Sequence, residues 1–198
     1  MGYLRDQEKT VQAFDSEGYF HSGDICEFDS STPPAVFLKV TGRIKDLLIT
    51  DGGENISPGP IESEIKTMLP AVSNCMVVGD RCKYLAVLIT LKVQFDNAGQ
   101  PLELLDGEAF RIGKELGSNA TTVTEVKADP LWKNYIDDGL KLVNVKAPSR
   151  AHFVQKWALL LTDFSEAGGE LTSTLKVKRS AVVEKYADII GDLYSDRT

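Results

Sequence analysis

Four groups of residues in this sequence have types and spacings suited to chemistry on a phosphorylated substrate. Asp24 closes the run Gly18-Tyr19-Phe20-His21-Ser22-Gly23-Asp24. A carboxylate just after a glycine turn can accept two hydrogen bonds from a vicinal diol such as a ribose, and bonds to an ionised acceptor are the strong ones. Arg43 follows Gly42, where its planar guanidinium can hold a ribose or a phosphate. Gly52-Gly53-Glu54-Asn55 can bring backbone close to a ligand, because glycine lacks a Cβ. Lys176 stands in the glycine-flanked, Thr-rich run from Gly168 to Arg179, a setting for a charge delivered to a reacting phosphate or carboxylate. Each group also has a plainer reading: a turn cap for Asp24, a surface ion pair for Arg43, an ordinary hairpin turn for Gly52 to Asn55, and a solvated basic loop for Lys176. No G-x-x-x-x-G-K-[ST] loop occurs in the chain.

The pattern around these residues predicts the elements that hold them. Residues 1–10 are polar and uncapped, an exposed end. Asp15 to Gly18 is a turn, Tyr19 to His21 a short strand, Ser30 to Pro34 a loop, and Ala35 to Thr41 a strand with Val36, Leu38 and Val40 on one side. Ile44 to Thr50 is a second strand, ended by the Gly52-Gly53 turn. Pro58 and Pro60 open a helix with Ile61, Ile65, Met68 and Leu69 on its apolar face, and Pro70 stops it. Asn74 to Val78 and Tyr84 to Leu91 form an antiparallel hairpin around Gly79 to Lys83. Phe95 to Gln100 is loop-like. Two helices follow, one over about Gly107 to Leu116 and one over about Asp129 to Val145 with Leu131, Tyr135, Ile136, Leu140 and Val143 on one face. Val154 to Thr162 is a strand, Ala167 to Gly169 a turn, and Ala181 to Tyr194 one amphipathic helix. Interleaved helices and strands with a hairpin, rather than regular βαβ units, indicate an α+β fold.

Composition narrows the function classes. The 198 residues suffice for one domain plus part of another, and 42% hydrophobic with 26% charged residues fits a globular protein. Twenty-two Lys and Arg against 29 Asp and Glu give a net charge of −7, which argues against nucleic acid as a partner. Cys26, Cys75 and Cys82 have no metal-binding spacing, so no metal site is expected in this chain, and reduced thiols fit a cytoplasmic setting. No apolar run reaches the roughly 20 residues of a transmembrane segment. No signal peptide opens the chain, so the Asn55-Ile56-Ser57 and Asn119-Ala120-Thr121 sequons are chance matches.

Taken in order, the motifs resemble those of the adenylate-forming superfamily of acyl-CoA synthetases, luciferases and nonribosomal peptide adenylation domains. Gly18 to Asp24 is similar to its G-[WY]-x-H-[ST]-G-D motif, and Gly42 to Glu62 to its G-R-x-K-[DE]-x-I-x-x-x-G-E-N-[IV]-x-P-x-x-I-E motif over the whole length. Gly168 to Thr172 with Lys176-Val177-Lys178-Arg179 resembles the terminal lysine motif of the bubblegum-type long-chain fatty acyl-CoA synthetases. Thr174-Leu175 stands where the superfamily usually has Ser-Gly, and Ser173 where the bubblegum type has proline. The resemblance covers the chain but only the last third or so of such an enzyme. It implies a small C-terminal α+β domain, an antiparallel or mixed sheet flanked by helices, over residues 45–198 with a helical insertion at about 107–146. Residues 1–44 would be terminal strands of a missing large N-terminal domain.

What the resemblance implies for function is ligation of a long-chain fatty acid to coenzyme A by way of an acyl-adenylate. Asp24 and Arg43 would bind ATP, and Lys176 would be catalytic, bridging carboxylate and α-phosphate. Lys45 would be the hinge, and Gly52, Gly53, Glu54 and Asn55 the loop facing coenzyme A. ATP and coenzyme A would be substrates, with Mg²⁺ accompanying ATP and its protein ligand in the missing domain. The enzyme would be cytoplasmic or peripheral at the endoplasmic reticulum membrane. The isolated chain is expected to be inactive as a ligase. The alternatives are a non-catalytic short form acting as a binding module, and a different acyl substrate within the superfamily.

Overall fold

The computed structural model describes residues 2–29 and 36–195, so the expected Ser30 to Pro34 loop lies outside the described residues. The chain divides into two compact units, Met1–Leu47 and Leu48–Thr198.

In the first unit, Asp6 caps a short helix α1 (Gln7–Gln12), its carboxylate accepting from Lys9 N at 3.0 Å. The expectation of an uncapped end is thus corrected: Asp preceding a Gln-Glu-Lys run is a ready N-cap. At Asp15 to Gly18 the expected turn forms, with Asp15 Oδ1 accepting from Glu17 N and Tyr19 N at 2.9 Å each. The predicted strand at Tyr19 to His21 amounts to a single bridge between Phe14 and Phe20. β1 (Asp24–Asp29) and β2 (Phe37–Arg43) form an antiparallel ribbon that places Asp24 opposite Arg43. Val36, Leu38 and Val40 are exposed, as are Phe28 and Phe37 on the same ribbon.

The expected strand over Ile44 to Thr50 is broken. Ile44–Asp46 makes a 3-10 turn, which ends the first unit, and only Leu48–Ile49 (β3) is extended in the second. β3 pairs with Asn55–Ile56 (β4), because Gly53 at φ +80° turns the chain back at once.

Around one three-stranded sheet the second unit is built. β5 (Val72–Val78) and β6 (Leu85–Leu91) are antiparallel, and β9 (Val154–Leu159) adds parallel to β6, in the order β5-β6-β9. All seven residues of β6 are buried, as a central strand covered on both faces requires. Its alternate side chains go to two cores. Leu85, Val87 and Ile89 pack with Ile61, Ile65 and Leu69 of α2 (Pro58–Met68) and its C-cap, and with Trp132, Ile136, Leu140 and Val143 of α5 (Pro130–Val145). Ala86 and Leu88 pack with Phe164, Leu171, Val182 and Leu193 on the other face. The mixed α+β architecture and the hairpin at Gly79 to Lys83 agree with expectation.

Four local features were not expected. The loop expected from Phe95 to Gln100 forms over residues 96–100, but as the turn of an unanticipated second hairpin of β7 (Val93–Phe95) and β8 (Pro101–Leu105), where the Asp96 carboxylate accepts from Ala98 N and Gln100 N at 2.8 Å. On α5, Leu131 faces outward and Trp132 takes the core position, its indole ring lying against Gly113 of α3 (Gly107–Glu115). Between α3 and α5 lies a further helix, α4 (Val123–Ala128), held by a capping box of Thr122 and Glu125. The final helix is two, α6 (Arg179–Lys185) and α7 (Ala187–Tyr194), parted at Tyr186, whose hydroxyl donates to the buried Glu170. No helix among the described residues is long and apolar enough to cross a membrane.

Candidate functional site

In the first unit the ribbon register brings two of the anticipated ATP-site residues together. Asp24 and Arg43 are ladder partners, and Arg43 Nε lies 3.3 Å from Asp24 Oδ1. The pair is accessible, with two-thirds of the Arg43 side chain exposed, so both heads can reach a ligand while already aligned side by side. Lys45 is exposed in the 3-10 turn that follows.

In the second unit, Gly52, Gly53, Glu54 and Asn55 are all exposed, on a loop fixed from both sides. Thr50, itself buried, accepts from Gly53 N through its carbonyl at 2.9 Å and from Glu54 N through its hydroxyl at 3.2 Å. The β5–β6 turn fastens the stem: Asp51 N donates to Cys82 O, Arg81 N to Ile49 O, and Ile49 N to Asp80 Oδ1 at 3.1 Å. An exposed backbone surface of this kind can meet a ligand without reorganising.

Lys176 projects into solvent from a small hairpin. Leu171 and Val177 bridge at its base, Thr172 N donates to Lys176 O at 2.8 Å, and Leu175 N donates to Thr172 O at 2.8 Å. The tip is therefore a turn followed by a left-handed residue, the three-residue hairpin loop that favours glycine at its last position. Leu175 occupies that position at φ +59°.

Beneath the hairpin sits Glu170, 1% exposed, whose importance the sequence reading missed. Its carboxylate accepts from Lys185 Nζ, from Tyr186 Oη at 3.0 Å and from Ser165 N at 3.4 Å. Burial alone would raise this carboxyl, but the bonds from Lys185, its own backbone and Tyr186 outweigh burial and hold it below the ordinary carboxylate range. The double glycine before it now has a cause. A Cβ on Gly168 would lie 2.2 Å from Glu170 Oε2, and Gly169 takes φ +89°.

The far stem is held by Arg179. Arg179 Nη1 lies 2.8 Å from Glu62 Oε1, the same oxygen accepts from Val77 N at 2.8 Å, and Arg179 Nη2 donates to Val77 O. Glu62 and Arg179 close the two longer motifs, which was the available signal for their pairing. Beside the hairpin lies an open groove of about 780 Å³ that includes Lys66, Asn74, Phe95 and Leu175. Asp163 lies in its wall, and that carboxylate is engaged by Ser73 Oγ at 2.6 Å, Asn74 Nδ2 at 2.9 Å, Thr90 Oγ1 and Phe164 N.

Residues 45–108 match the family model described as AMP-binding enzyme C-terminal domain. The chain is 44% identical over its full length to the long-chain-fatty-acid–CoA ligase ACSBG1 of Bos taurus, 43% to that of Homo sapiens, and 45% over 98% of its length to ACSBG2 of Mus musculus. It spans 27%, 27% and 29% of the length of these relatives. Among solved structures, the adenylation domain of a carboxylate reductase from Mycobacterium chelonae superposes on 98% of the chain with a TM-score of 0.71 at 22% identity, covering 26% of that domain. The A domain of a carboxylic acid reductase from Segniliparus rugosus, in complex with AMP and a co-purified carboxylic acid, gives 0.67 at 19%, with the same coverage of both chains. The chain is a homologue of the long-chain-fatty-acid–CoA ligases along its whole length, carries a match to the AMP-binding enzyme C-terminal domain, and shares its fold with part of the solved adenylation domains.

Proposed function

We propose that this chain serves a long-chain fatty acid–CoA ligase. It would supply the mobile C-terminal domain (residues 45–198) and the last strands of the large domain (residues 1–44). The reaction joins a fatty acid to ATP, releasing diphosphate, and then passes the acyl group from the adenylate to the thiol of coenzyme A, releasing AMP. Asp24 and Arg43 receive the ribose and adjoining phosphate, their heads already paired across the ribbon. Lys176 places its ammonium between the fatty carboxylate and the α-phosphate, two anions that otherwise repel. Lys45 is the pivot about which the small domain turns between the half-reactions, and Gly52 to Asn55 then faces coenzyme A. Magnesium accompanies ATP, and its protein ligand belongs to the part of the enzyme outside this chain. The enzyme is cytoplasmic, or peripheral at the endoplasmic reticulum membrane.

The observation that carries this reading is identity of 44% along all of the chain to a long-chain ligase, with the three motifs in place. The test is to join the chain to the preceding three-quarters of that bovine relative and assay palmitate, ATP, Mg²⁺ and coenzyme A. Palmitoyl-CoA is expected from the joined protein and none from the 198-residue chain by itself. A joined protein that folds, binds ATP and makes no adenylate contradicts the reading.

A further inference from the structure

β5 is an edge strand of the three-stranded sheet, and at Val77 both the N–H and the C=O are turned to side chains instead of to another strand. An open edge of this kind needs an acceptor for the N–H and a donor for the C=O. Glu62 supplies the acceptor and Arg179 the donor, and the two are joined to each other at 2.8 Å with side chains only 19% and 21% exposed. The pair therefore stands in for one residue of a missing strand. It ties three elements to a single point: α2 through Glu62, β5 through Val77, and the start of α6 through Arg179. Arg179 is three residues beyond Lys176, so a fixed Arg179 keeps the Lys176 backbone within about 10 Å of its own backbone. The intervening stem is pinned as well, by the Leu171–Val177 bridge and by Lys178 N donating to Glu170 O at 2.7 Å.

We infer that Glu62 and Arg179 are positioning residues for Lys176, sealing the β5 edge at Val77 and fixing the C-terminal stem of the lysine hairpin. The consequence for catalysis rests on the reading of Lys176 given above. The clamp itself does not, because it is a matter of which group faces which.

That polarity gives the test. In the 198-residue chain, hydrogen exchange at the Thr172 and Lys178 amides and the ¹³Cε signal of Lys176 are followed in R179K, E62Q and the charge swap E62R/R179E, with urea unfolding measured alongside. R179K can reach only one of the two acceptors, so Lys178 exchange is expected to rise about tenfold and the Lys176 signal to shift toward that of a free lysine, with the urea midpoint nearly unchanged. E62Q keeps a carbonyl oxygen for Val77 N–H and is expected to stay close to the parent. The charge swap keeps opposite charges but sets a donor against the N–H and an acceptor against the C=O, so it should not restore protection. Restoration by the swap would reduce the pair to a simple ion pair and overturn the inference. So would unchanged Lys178 exchange in R179K, or a rise no larger than the loss of global stability explains. None of these readouts requires Lys176 to react, so failure of the clamp and failure of the ligase reading are told apart.

Discussion

Replacing Glu170 by glutamine probes the support under the lysine hairpin. The parent carboxylate is 1% exposed and takes hydrogen bonds from Lys185, Tyr186 and Ser165. Glutamine keeps one oxygen but turns an N–H₂ toward groups that are themselves donors. A lost bond to a charged group costs about 1.5–3 kcal/mol. Lys185 is half exposed and can turn to water, which trims the penalty to about 2 kcal/mol. That is a large share of a typical ~5–15 kcal/mol stability. The assay is urea unfolding of the 198-residue chain by tryptophan fluorescence at pH 7 and at progressively lower pH. Burial raises the Glu170 carboxyl, but the bonds from Lys185, its own backbone and Tyr186 outweigh it, so the folded value lies below the ordinary 4.5. Its stabilisation is therefore full above the unfolded value and is lost as pH falls through the folded value. The E170Q deficit should be about 2 kcal/mol at pH 7 and shrink below pH 4.5. A deficit under about 0.5 kcal/mol at pH 7, or one that does not shrink in acid, refutes the assignment of Glu170 as a charged anchor.

Leu175 holds a left-handed conformation with its side chain exposed, so L175G should be about 1 kcal/mol more stable than L175A, and equal or reversed urea midpoints would deny the strain. A Cβ on Gly139 would lie 2.3 Å from Leu69 Cδ2, so G139A should lower stability by about 1–3 kcal/mol through displacement of Leu69, and a fall in melting temperature checks it. Burial, with Glu62 adding to it, pushes the Cys75 thiol up to about 12, while Cys26 is exposed. Maleimide at pH 7.5 should therefore label Cys26 and leave Cys75 unmodified until the chain is unfolded, as mass spectrometry of the peptides will report.

Elements with strong periodicity or firm punctuation were legible from the residues alone. The α2 helix was marked by two prolines at its start and Ile61, Ile65 and Leu69 at helical spacing, and the β5–β6 hairpin by two apolar runs about a polar turn. What escaped were features set by single polar side chains. Asp6 caps α1, Asp96 folds the β7–β8 turn, and the Thr122-x-x-Glu125 capping box starts α4, though its signature was present in the sequence. Spacing could not place Trp132 inside and Leu131 outside, because that choice depends on the room left by Gly113 across the core. At the candidate site, the residues proposed to carry chemistry stand out in the motifs, whereas the contacts that support them do not. Glu62 and Arg179 are 117 residues apart, and Glu170 and Lys185 meet only because the chain folds back between them.

The most direct test of the central claim is Lys176→Ala in the chain joined to the remainder of a long-chain ligase relative, with the two half-reactions measured separately. A loss of about 100-fold or more is expected in palmitoyl-adenylate formation from palmitate and ATP. A change under about threefold is expected in thioester formation from preformed palmitoyl-adenylate and coenzyme A, because in the proposed function the lysine serves the first step and the Gly52 to Asn55 loop the second. Equal losses in both steps, or adenylation that survives the substitution, would contradict it.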